Sequence, residues 1–83
     1  MIILIISFEK ALASSIDKYG HVDPRTAEAY EGIGYAQYKL GNYRGALGSH
    51  EKALGIRLKT FGLKDVLVSD SYIGIGDAKL DLG

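Results

Sequence analysis

The side chains in this chain best suited to proton transfer, ligation or nucleophilic attack are two histidines, His21 and His50, and the serines Ser14, Ser15, Ser49, Ser69 and Ser71. Their spacing argues against chemistry. The histidines lie far apart, and neither has a second His or Cys one helical turn away, the arrangement a metal site needs. His21 is expected to be a solvated linker residue and His50 a core residue. No serine sits in a nucleophile elbow or beside an announced base, so surface and turn positions are expected for them. Gly32-Ile33-Gly34 lacks the third glycine and the preceding strand of a phosphate-binding turn, which leaves helix packing as its role. Glu9-Lys10 and Glu51-Lys52 each precede an Ala-Leu pair and read as solvated helix faces, not acid–base pairs. The residues therefore predict no catalytic centre, no metal site and no cofactor, and the chain is not expected to be an enzyme.

Bulk properties narrow the alternatives. Eighty-three residues with 47% hydrophobic and 24% charged content suit one small folded domain of modest stability. Ten basic residues balance ten acidic ones, so nothing draws the chain to nucleic acid or to anionic lipid. With no cysteine, a disulfide framework is excluded and a reducing, cytoplasmic setting is permitted. The apolar start, Met1 to Ile6, is followed at once by Glu9 and Lys10, too short a run to span a bilayer. Neither membrane insertion nor targeting is expected.

The elements that position these side chains announce themselves by repetition. Displaced by 42 residues, the sequence falls on itself, with Glu9-Lys10-Ala11-Leu12 on Glu51-Lys52-Ala53-Leu54 and Gly32-Ile33-Gly34 on Gly74-Ile75-Gly76. From residue 8 onward, 13 of 34 aligned pairs are identical, a period that signals stacked supersecondary units unable to bury their faces alone. Asp23-Pro24 and Asp65 offer helix N-caps, and Gly20, Gly41 and Gly62 offer terminators. Apolar and small residues recur every three or four positions: Ala27, Tyr30, Ile33, Gly34, Gln37 and Leu40, then Val68, Tyr72, Ile75 and Leu82. Similar stripes run through Ile5, Phe8, Leu12 and Ile16 and through Ala46, Leu47, His50, Ala53 and Leu54. Four helices are predicted at about residues 2–19, 24–40, 43–60 and 66–82. Glycines Gly45, Gly48 and Gly55 fall inside them without a packing reason visible in the sequence.

The combined pattern Ala27-x-x-Tyr30-x-x-Ile33-Gly34, Leu40-Gly41-Asn42-Tyr43-x-x-Ala46-Leu47 and Glu51-Lys52-Ala53-Leu54-x-Ile56-x-x-Lys59-x-x-Gly62 resembles the tetratricopeptide repeat. It is most similar to the long-period repeats of the kinesin-light-chain type. The resemblance covers residues 8–83. Asp23-Pro24 and Asp65-Val66 stand where that family has His-Pro, Gln37 and Lys79 where it has Tyr, and His50 where it has an aromatic. It implies an all-α fold of antiparallel helix-turn-helix units stacked as a right-handed solenoid, with one full unit at 24–60 between half units at 1–20 and 63–83. Gly34 and Gly76 match the family's small packing position. The first and last helices each lack one neighbour, which predicts apolar surface on both.

Such a fold implies a protein-interaction module whose concave face is lined by the first helix of each repeat. Helical phase then places Glu28, Glu31, Tyr35, Tyr38 and Lys39 on that face in one copy and Asp70, Ile73, Asp77, Leu80 and Asp81 in the other. Two tyrosines, two aliphatics and five carboxylates against one lysine suit a basic peptide with an aromatic or aliphatic side chain. The Lys, Asn and Arg set with which some relatives grip a chain terminus is not reproduced. The alternative is a structural segment of a longer array that associates head to tail through the terminal helices, one end carrying Ile2, Ile3, Leu4 and Ile6.

Overall fold

A computed structural model describes residues 2–83. They form α1 (Ile2–Tyr19), α2 (Pro24–Lys39), α3 (Tyr43–Phe61) and α4 (Val66–Leu82), within one residue of the expected spans. Local chemistry sets these limits. Asp23 accepts a hydrogen bond from the Arg25 amide at 2.9 Å, Asn42 from that of Gly45 at 3.0 Å and Asp65 from that of Leu67 at 2.8 Å, each satisfying an amide that the helix leaves free. Gly20, Gly41 and Gly62 end α1, α2 and α3 with φ between 83° and 89°, a left-handed region that L side chains resist.

Loops of three or four residues turn each helix back along its predecessor. Packing follows chain order: α1 on α2, α2 on α3 and α3 on α4, with a lighter contact between α2 and α4. Among the described residues α1 touches neither α3 nor α4. The helices thus form an open row instead of a closed bundle, and the Cα atoms span 33 × 31 × 15 Å.

The core consists largely of alanine. Ala27, Ala29, Ala36, Ala46, Ala53 and Ala78 are buried, joined by Ile33, Ile56, Val68 and Ile75. Small side chains let helix axes approach closely while each contributes little transfer free energy. The single stripe expected on α2 understates its burial: Thr26, Ala29 and Ala36 are buried as well, because three helices surround it, whereas Leu40 at the helix end is half exposed. Tyr72 and Leu82 of α4, also expected in the core, are 50% and 42% exposed because, among the described residues, no helix covers that side. For the same reason α1 buries no residue fully. Ile2, Ile3, Leu4 and Ile6 are exposed. Ser49 and Ser71, expected at the surface, are buried. Their hydroxyls fit where helices crowd and find partners there, Ser49 donating to Gln37 Oε1 at 2.6 Å and Ser71 accepting from Arg57 at 3.0 Å.

Two glycines mark aromatic contacts that repeat with the sequence. A Cβ on Gly32 would fall 2.3 Å from the Phe8 ring, and one on Gly74 would fall 2.8 Å from the His50 ring. Phe8 and His50 are themselves one period apart. A Cβ at Gly34 would also meet His50, at 2.9 Å, but Gly76, the other expected packing glycine, faces open space. Gly45 accommodates Asn42 and Gln37, while nothing in the structure explains Gly48 or Gly55. Replacing Gly55 by Ala should stabilise the chain by up to about 1 kcal/mol, because the helix gains and nothing clashes. Gly74→Ala should destabilise it by about 1–3 kcal/mol through overpacking against His50. Urea unfolding of the two variants checks the contrast.

Candidate functional site

The most structured polar group in the molecule lies between helices. Glu31 on α2 places Oε1 at 2.7 Å from His50 Nδ1 and Oε2 at 3.0 Å from Arg57 Nη1, both on α3. Arg57 Nη1 also reaches the Leu67 carbonyl at 3.1 Å and Ser71 Oγ at 3.0 Å, at the start of α4. One nitrogen with two N–H bonds serves three acceptors, so at least one hydrogen bond is shared. The Glu31, His50 and Arg57 side chains are only 18%, 10% and 7% exposed, and among the described residues no buried side-chain nitrogen or oxygen lacks a partner. Every acid and base here is engaged by another protein group. The cluster fixes the geometry of the helices around it.

His50 is the core residue expected, and its ring forms the floor of a depression above it. That depression, about 310 Å³ in volume, opens between α2 and α4 and is walled by Tyr35, Tyr38, Lys39, Asp70, Ile73 and Asp77, with Gly74 beside His50. Six of the ten residues expected on the binding face therefore surround one space. Asp81 joins them from the rim, where its carboxylate accepts a hydrogen bond from the Tyr38 hydroxyl. The other three lie elsewhere. Glu31 is largely buried and held by His50 and Arg57, and Glu28 lines a separate depression beside α1 with Phe8, Ser15, Tyr19 and Arg25. Leu80, placed on the same face by helical phase, is 80% exposed and does not line the groove.

No family model matches the chain, and no curated protein or solved structure does. The site is therefore read from its own geometry.

Tyr38 is the best-held aromatic of the groove. Its ring meets Tyr43 edge-on at 5.3 Å between centroids, while the Lys39 ammonium lies 5.6 Å from the Tyr35 ring. These contacts restrict two large side chains before any ligand arrives, which lowers the entropy lost on binding. Ile73 is 62% exposed opposite them. Asp70, Asp77 and Asp81 outnumber Lys39, so the groove as a whole favours positive charge.

Sequence periodicity found the groove and missed the cluster beneath it. The signal lay in departures between copies: Glu31 and Arg57 stand where the other copy has Ile73 and Ser15. Two charges of opposite sign that break a repeat on facing helices suggest a partnership confined to one junction.

The Tyr38–Asp81 contact has a measurable consequence. Hydrogen bonding to Asp81 pushes the Tyr38 pKa from 10.0 up to about 12, with desolvation and the charges of Asp81 and Asp77 acting in the same direction. A raised folded-state pKa means the contact favours folding below pH 10 and loses that effect as pH rises through about 12. Residue-resolved NMR titration should show Tyr38 ionising near that value, and Asp81→Asn should return it toward 10.

Proposed function

We propose that this chain is a tetratricopeptide-type protein-interaction module and that the groove between α2 and α4 holds a basic segment of a partner protein. Convergence of Tyr35, Tyr38, Lys39, Asp70, Ile73 and Asp77 on one depression carries the reading. The repeat assignment draws support from the 42-residue period, the order of helix contacts and the aromatic-on-glycine contact found in both copies. A right-handed solenoid and a cytoplasmic setting belong to the same proposal.

The groove's chemistry defines its ligand. An extended or helical segment would lay an aliphatic or aromatic side chain between Tyr35 and Ile73 and set Lys or Arg against Asp70 and Asp77. Charge-assisted hydrogen bonds and steering by the carboxylates would supply orientation, and burial of the aromatic surface the larger share of affinity. Among the described residues no helix is long and apolar enough to cross a membrane.

Fluorescence anisotropy with labelled peptides tests this. A peptide carrying Arg residues around a Leu or Tyr should bind and weaken as salt rises, and Asp77→Lys should reduce its affinity about tenfold or more. Equal binding of an acidic peptide, or no effect of charge reversal at both Asp70 and Asp77, would contradict the reading.

A further inference from the structure

We propose that the uncovered face of α4 on one copy of this chain docks against the uncovered face of α1 on a second copy, repeating between chains the packing of α2 on α3 within each chain. The 42-residue period makes α4 the counterpart of α2 and α1 the counterpart of α3. Inside the chain the α2–α3 junction is complete. Each outer helix carries one half of the same junction with nothing against it among the described residues.

The clearest sign of an unfilled half is the pair Phe8 and Gly76. The His50 ring lies between two glycines, Gly34 of the preceding helix and Gly74 of the following one. Its counterpart Phe8 lies on Gly32, the equivalent of Gly74, and among the described residues has no glycine on its other side. Gly76, the equivalent of Gly34, has nothing within 4 Å of where a Cβ would stand. Joining two copies in the internal register seats Phe8 between its own Gly32 and the other copy's Gly76. One ring and one vacant notch then complete each other.

Polarity agrees with this. Within the chain the junction buries Glu31 against His50 and Arg57. The equivalents at the open faces are Ile73 on α4 and Phe8 and Ser15 on α1, so docking two copies leaves no charge of this cluster unpaired. Ile73 is 62% exposed and Leu80 80% exposed, apolar surface that a second copy would cover. Ile3 stands where Gly45 packs against Gln37, so the flexible Lys79, the counterpart of Gln37, has to give way there. One polar feature is retained. The Lys52 ammonium lies 5.5 Å from the Tyr30 ring, and the same residue pair recurs as Lys10 on α1 and Tyr72 on α4, where it would form across the two chains. Lys79 replaces Gln37 opposite Ser7, the counterpart of Ser49, and a lysine can still donate to that hydroxyl. The far end of the seam is less apolar, because Ser14 and Ser69 replace Ile56 and Ala27. The contact joins unlike faces, so it is heterologous and builds rods or rings.

Ile73 belongs to both the groove and the docking face, but Phe8 and Gly76, on which the test is built, do not line the groove, so the test separates association from peptide binding. Sedimentation velocity of the whole chain over a concentration series should show oligomers that grow with concentration. A Cβ at Gly76 meets nothing of its own chain within 4 Å, so Gly76→Leu puts bulk into the notch, and leucine is the better helix former. It should preserve or raise the melting temperature of the dilute chain yet weaken association about tenfold or more. Ile3→Lys should block the opposite face in the same way. Each variant alone should stay monomeric, and an equal mixture should form a one-to-one dimer, because each retains the face the other has lost. A wild-type chain that remains monomeric at its highest soluble concentration would overturn the proposal. So would variants that assemble like wild type, or a mixture that stays monomeric.

Discussion

One carboxylate holds three of the four helices in register. Glu31 projects from α2 and takes both His50 and Arg57 of α3, and Arg57 carries the connection to a backbone carbonyl and a serine at the start of α4. Placing such charges away from water is costly, and the pairing returns that cost only where geometry is good and the remaining donors are satisfied. Here every buried side-chain polar atom among the described residues has a partner. The penalty for misplacing α3 or α4 is therefore steep: a shift of one turn would leave a guanidinium or a carboxylate buried and alone.

That constraint matters because the apolar core is weakly directional. Alanine methyl groups pack against one another in many alternative registers, and their transfer free energies are small. Distinct features are few: two rings on glycines, a buried serine–glutamine hydrogen bond and the Glu31 cluster. Together they define the separation of α2 and α4, and hence the width of the groove whose floor is the His50 ring. The residue that anchors the register is thus in contact with the one that shapes the candidate binding surface.

Much of this was legible in the sequence, for identifiable reasons. Helix ends were marked by Asp23 and Asp65 at two of the starts and by three glycines at the stops, because capping is a local matter settled by adjacent atoms; the Asn42 cap emerged only in the structure. The groove was legible because α2 and α4 carry the same phase, so residues one period apart fall on one face. Burial was harder to read. Thr26, Ala29 and Ala36 lie off the apolar stripe yet are buried, since the number of neighbours around α2 is a tertiary property. Ser49 and Ser71 look like surface residues by type and are buried because each meets a partner from another helix. Glu31 was placed on the open face by phase alone, but His50 and Arg57 hold it in the α2–α3 junction, because phase does not say that a cation waits on α3.

Repetition explains both the order of the helices and the faces left open among the described residues. A helix pair built to stack presents two faces, and α2 and α3 each use both, while α1 and α4 use one. The most direct test of the central claim is a double-mutant cycle on Glu31→Gln and Arg57→Met, followed by urea unfolding. The account predicts that the two substitutions are strongly non-additive, with a coupling of about 1–3 kcal/mol, because each alone strands the other's charge. Additivity within about 0.5 kcal/mol would mean that the two side chains do not depend on each other and that the alanine core sets the register without them.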